Sequence, residues 1–156
     1  MRADVHGNPR VAIWSPEIDY SWYNLDKIWV ADTRVAQFKI VAHTDSIVWG
    51  LRPGVVERLK KADYNKNIYG WGAASMAAAF AFANKMYAAL DCSVKVYHPS
   101  PRGYPTDAAA RQRLEFLNQL TEPEFIQLTL LQSHMAAQRM KRQESAGRLE
   151  KVEVWQ

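Results

Sequence analysis

One cysteine, Cys92, in 156 residues leaves no intrachain disulfide and no cysteine-rich zinc site, and suits a reducing interior. Charge of one sign is scarce too: 20 Lys and Arg against 16 Asp and Glu leave a net +4, too small a surplus for a dedicated polyanion coat. Nor is there a long strongly apolar run. The longest charge-free stretch, residues 67–84, is rich in alanine, carries two glycines and Ser75, and closes at Asn84 and Lys85 short of the ~20 apolar residues a membrane span needs. A buried helix is expected there. Residues 1–10 are polar with no apolar segment behind them, so no cleavable secretory signal is expected, and the expected location is cytoplasmic or otherwise intracellular. Repeats and low-complexity linkers are absent, which argues for one continuous domain, 1–121, with residues 122–156 as a C-terminal helix and tail of the same domain or an association arm.

What the chain does have is 48% hydrophobic residues, enough for a sizeable core, and six Trp with seven Tyr, rings that suit both cores and contact surfaces. The first half is strand-like. Residues 11–14, 27–31, 35–42 and 46–51 are short runs of Val, Ile, Trp and Phe, and the brief gaps at Asp32-Thr33 and His43-Thr44-Asp45 suggest an antiparallel meander. Residues 15–26 read as a loop, with Pro16, Asp19 and Asn24 as turn formers.

The second half is mostly helical. A short basic helix is expected over 55–61 and a long one over 72–90, with Met76, Phe80, Ala83 and Tyr87 on its core face. Residues 93–97 alternate as one additional strand, and the proline-rich segment 98–105 is a loop. Thr106 or Asp107 caps the next helix, whose Leu114, Leu117 and Leu120 form one stripe. Thr121-Glu122-Pro123-Glu124 is a capping box that opens the last helix; Phe125, Leu128, Leu131 and Met135 are expected along one face of it, and Gly147 is its expected stop. The fold class is therefore α+β.

Several constellations bear on function. Gly70, Gly72 and Ser75 outline a glycine turn opening a helix, which could present backbone amides to a phosphate or nucleotide; the only strand available before it is the short 66–69 stretch. Arg52, Arg58, Lys60, Lys61 and Lys66 stand close together beside Tyr64, the mixture of cations and rings that single-stranded nucleic acid uses. His6, His43, His98 and His134 sit in four different elements with no ligand spacing, so no metal site is expected. His98 and Arg102, where a strand runs into a loop, are the catalytic candidates. Cys92 follows a helix and reads as an apolar filler, Ser46, Ser75 and Ser100 lack a Gly-x-Ser-x-Gly elbow, and Glu17 with Asp19 is a solvent-facing acidic pair.

The tail mixes Arg139, Lys141, Arg142 and Arg148 with Glu144, Glu150 and Glu153, then alternates through Val152, Val154 and Trp155 like a strand that could add to a sheet edge, with Trp155 as anchor on a partner. These residues together lead to the expectation of a binding or assembly protein acting through protein contacts, a protein partner or a second copy, with no cofactor. A phosphate-handling or nucleotide-binding α/β module is the alternative, and single-stranded nucleic-acid binding the second.

Overall fold

A computed structural model describes residues 8–18, 25–33, 35–98 and 103–153, without the side chains of 26, 27 and 142–153. The elements in chain order are β1 (Val11–Ile18), α1 (Leu25–Ile28), β2 (Trp29–Asp32), β3 (Phe38–Val41), β4 (Gly50–Leu51), α2 (Pro53–Lys60), α3 (Ala73–Ala83), β5 (Tyr87–Val96), α4 (Thr106–Leu117) and α5 (Glu122–Glu153). The class is α+β, with the helices mostly in the C-terminal half.

The sheet is mixed rather than a pure meander, in the order β2-β3-β5-β1-β4. Only β2 and β3 form a sequential antiparallel pair; β5, from far along the chain, inserts between β3 and β1, antiparallel to the first and parallel to the second. A parallel pair needs a long connection, and here the chain between Ile18 and Tyr87, which carries β2, β3, β4, α2 and α3, supplies it. Central position explains why β1 is covered on both faces: Ala12, Ile13, Ser15 and Pro16 are all essentially inaccessible. Strand β1 continues through Pro16 to Ile18, where a loop was expected. Proline has no N–H to donate, and the register breaks just after it, from Pro16 opposite Asp91 to Glu17 opposite Lys95, so β5 bulges over 92–94.

Helix α3 stops at Ala83, seven residues before the expected Leu90. The Met86 N–H donates to the Ala81 carbonyl and the Lys85 N–H to the Phe82 carbonyl, the paired closing bonds of a left-handed helix stop, with Lys85 at φ 58°. The apolar residues beyond, Ala88, Ala89 and Leu90, then become the buried centre of β5. Helix α3 itself is enclosed from residue 74 to 79 and again at Ala81, with Met76 wholly buried, Phe80 half-buried against the core, and Tyr87 in the strand instead of the helix. Residues 66–69 form turns, with Asn67 N–H on the Tyr64 carbonyl and Gly70 N–H on that of Asn67, so the short strand before the glycine turn does not exist. Of the expected 46–51 strand only Gly50–Leu51 pairs, and the 27–31 run divides into the end of α1 and β2.

Helix α5 opens with the capping box read from the sequence: the Thr121 N–H donates to Glu124 Oε2 at 2.8 Å, and the Phe125 N–H to the Thr121 carbonyl. The helix runs on through Gly147, so Val152 is helical and not part of a strand. Its inner face buries Leu128 and packs Leu131 and Met135 with Ala42 and Ala78, and the His134 Nε2–H donates to the Trp29 carbonyl at 2.7 Å, covering the edge strand β2.

Candidate functional site

Of the five arginines and lysines of residues 52–66, the two arginines are engaged within the fold and the three lysines lie at the surface. Arg52 donates from Nε to the Val11 carbonyl and from Nη2 to that of Asn8, tying α2 to the start of β1. Arg58 forks onto Glu124, with Nε to Oε1 at 2.7 Å and Nη2 to Oε2 at 2.9 Å, and Nη2 also reaches the Gln119 carbonyl. Burial alone would raise the Glu124 pKa; the hydrogen bonds from Arg58 and Thr121 and the guanidinium charge outweigh it and hold the carboxyl below its ordinary range. Lys60 pairs with Glu57 on the surface, and the Tyr64 ring leans on Phe116 at 5.0 Å between centroids. Lys61 and Lys66 are exposed. Lys66 shares a cavity of about 410 Å³ with Asp63, Asn67, Gln112 and Glu115, where two carboxylates offset its charge.

In that cavity Asn67 and Gln112 each keep an amide oxygen buried with no hydrogen-bond partner among the described residues. Asn67 is oriented by its Nδ2, which donates to the Trp71 carbonyl at 2.9 Å, so its oxygen can only accept.

The glycine turn is built for packing. Gly70 and Gly72 both have positive φ, and a β-carbon on Gly72 would lie 3.0 Å from Phe116 Cδ1, so α4 sits directly over the start of α3. The Trp71 indole N–H donates to the Tyr104 hydroxyl at 2.8 Å, Tyr69 stacks on Tyr104, and Ser75 is buried.

His98 lies two residues beyond β5, while Arg102 is outside the described residues, as are Val154 and Trp155. At the same end of the parallel pair, Glu17 meets Lys95 at 3.4 Å and the Ser93 hydroxyl donates to Asp91. Burial first, then the Glu17 carboxylate, pushes the Cys92 thiol pKa up, which suits the filler role expected of it. His43 is held neutral, its pKa lowered to about 4 by burial and by the Arg113 charge. Among the described residues no cluster of three or more His, Cys, Asp or Glu could hold a metal ion, and no helix is long and apolar enough to cross a membrane.

The feature that neither enclosure nor pairing accounts for lies on α5. Diametrically opposite the packed face, residues 126, 130, 133, 137 and 140 recur at spacings of four and three. They are Ile126, Leu130, Ser133, Ala137 and Met140, with Phe125 at the flank, and the four large side chains are 49%, 58%, 62% and 61% exposed at Ile126, Leu130, Met140 and Phe125 respectively. Phe125 thus faces solvent and not the core with Leu128 and Leu131. Residues 125–138 contain no Asp, Glu, Lys or Arg, so this exposed face has none of the charge that normally solvates the outside of a helix. Leu114 of α4 is also outward, because α4 turns Ala109 and Phe116 inward, while Leu117 and Leu120 of the expected stripe are partly buried. The second seam was readable in the sequence as a charge-free window with apolar residues at two helical phases rather than one.

Comparison with known protein families, curated proteins and solved structures finds no match for the chain.

Proposed function

We propose that the protein is a non-enzymatic assembly component that binds another polypeptide through the outer face of α5. The observation that carries the reading is the exposed, charge-free seam from Ile126 to Met140 on a helix whose other face is already committed to Ala42 and Ala78. Monomeric surfaces seldom expose contiguous apolar patches beyond a few hundred Å², and such patches mark contact sites. The basic segment lends less support to single-stranded nucleic acid, since Arg52 and Arg58 are held by carbonyls and a buried carboxylate. The phosphate alternative has a glycine turn with Phe116 pressed against it. A chain with one cysteine forms no intrachain disulfide, which favours an intracellular site for this assembly.

Hydroxyl-radical footprinting tests the reading. Phe125, Leu130 and Met140 are expected to be protected in a concentrated native extract of the expressing cell and oxidised in the dilute purified chain. Equal oxidation in both overturns it.

A further inference from the structure

We infer that the occupant of the α5 face is a second copy of this chain, seated antiparallel across a two-fold axis. The inference rests on the assembly reading and adds to it the identity of the partner and its direction. In an antiparallel helix pair the two seam phases face one another, and a two-fold axis requires that one sequence supply both members of every contact. This seam does so: Leu130 lies over Ser133 of the partner subunit, Ile126 over Ala137 of the partner subunit, and the same two contacts recur on the other side of the axis. Each large side chain meets a small one, which permits helix axes about 8–10 Å apart without overpacking. At the ends, Met140 meets Pro123 of the partner subunit, another apolar pair. A parallel pairing would instead set Leu130 on Leu130 and Ser133 on Ser133, alternating bulk with gaps.

The exposed area is of the right order. With large apolar side chains offering roughly 100 Å² each at these exposures, the four large residues and the exposed Thr129, Ser133, Ala136 and Ala137 provide about 600–700 Å² per copy, near the ~800 Å² per partner of a specific interface. The absence of charge between residues 125 and 138 matches an identical uncharged face, and would leave a charged partner without a counter-ion. A modest interface of this kind dissociates on dilution.

The test uses the full chain in a Cys92→Ala background, with two single-cysteine variants, Ile126→Cys and Ala137→Cys, mixed in equal amounts under mild oxidation. The two positions are eleven residues apart, about 16 Å along a helix, well beyond the ~7 Å a disulfide tolerates. The antiparallel dimer is expected to give the mixed 126–137 disulfide in several-fold excess over either self-linked product. Predominance of self-linked Ile126→Cys overturns the orientation, and monomeric mass by light scattering with no disulfide enriched over a Cys92-only control overturns the second copy. If that monomer is nevertheless footprinted as protected in native extract, the assembly reading stands while this inference falls; if it is unprotected there too, both fall.

Discussion

Helices α3 and α5 share one sequence trait and differ in what the fold does with it. Each has a long window without Asp, Glu, Lys or Arg, residues 67–84 around α3 and 125–138 within α5. For α3 the fold accounts for most of the helix: residues 74–79 and Ala81 are buried, as a helix apolar all round should be, although Ile68, ahead of it in the same window, is exposed. For α5 it accounts for half, because Leu128 and Leu131 are buried while Leu130, one residue from Leu131, and Ile126, two from Leu128, are not. The same lack of charge thus goes with burial on all sides over residues 74–79 and with burial on one side only over residues 125–138.

The largest effect that would sharpen this contrast is on the inner side of α5. Arg58→Ala leaves the buried Glu124 carboxylate without its fork, and unfolding in urea should report a loss of about 3–5 kcal/mol. Met76→Ala, inside α3, should cost about 2–5 kcal/mol in the same assay. Leu130→Ala on the outer face should change the stability of the dilute chain by no more than about 0.5 kcal/mol. If Leu130→Ala costs as much as Met76→Ala at high dilution, the chain covers that face itself and the contrast between the helices is lost.

Acid acts on both the sheet side and the capping box. His43 is neutral in the fold and takes up a proton more readily when unfolded, so the unfolded chain binds more protons between its pKa of about 6.5 and the folded value of about 4. Stability present in full above pH 6.5 should fall by up to about 3 kcal/mol as pH drops through that window, and His43→Gln should flatten the slope. Glu124 has the opposite chemistry and the same direction: its lowered pKa means that its contribution is lost only as pH falls below the ordinary carboxylate range. Denaturant midpoints at half-unit pH steps would separate the two.

Much of the fold was legible because local signals coincide with what tertiary packing also wants. The Thr121–Glu124 box and the proline within it place the start of α5 to the residue, and Val11, Ala12 and Ile13 read as a strand and are one. The end of α3 was not legible, because the stop depends on Lys85 adopting a left-handed conformation that a lysine gives no sign of, and the alanines and leucine beyond suit a helix as well as a strand. The sheet order was hidden for a related reason: nothing local reports that β5 will sit between β3 and β1. Of the candidate site residues, Gly72 and Arg58 were noticed for what they could offer a ligand, whereas each is already used by a neighbour, Phe116 in one case and Glu124 in the other. The outer face of α5 was missed because fitting one apolar phase, with Phe125 in it, conceals a second phase on the same helix.

One substitution is expected to raise stability, and it lies at the stop that ends α3. Lys85→Gly removes the cost of a β-carbon in the left-handed region and should raise stability by about 1 kcal/mol, readable as a shift in melting temperature of several degrees. A loss in that variant would mean that the Lys85 side chain contributes more than its backbone conformation costs.

The central claim, that the outer face of α5 is the working surface, is tested most directly by sedimentation velocity on the wild-type chain and on Leu130→Asp across a dilution series. The account predicts a wild-type mass that moves between about 36 kDa and the 17.9 kDa of one chain as it is diluted, twofold at most. It predicts 17.9 kDa throughout for Leu130→Asp, with an unchanged thermal melt in the dilute state. Association that survives Leu130→Asp unaltered would contradict it.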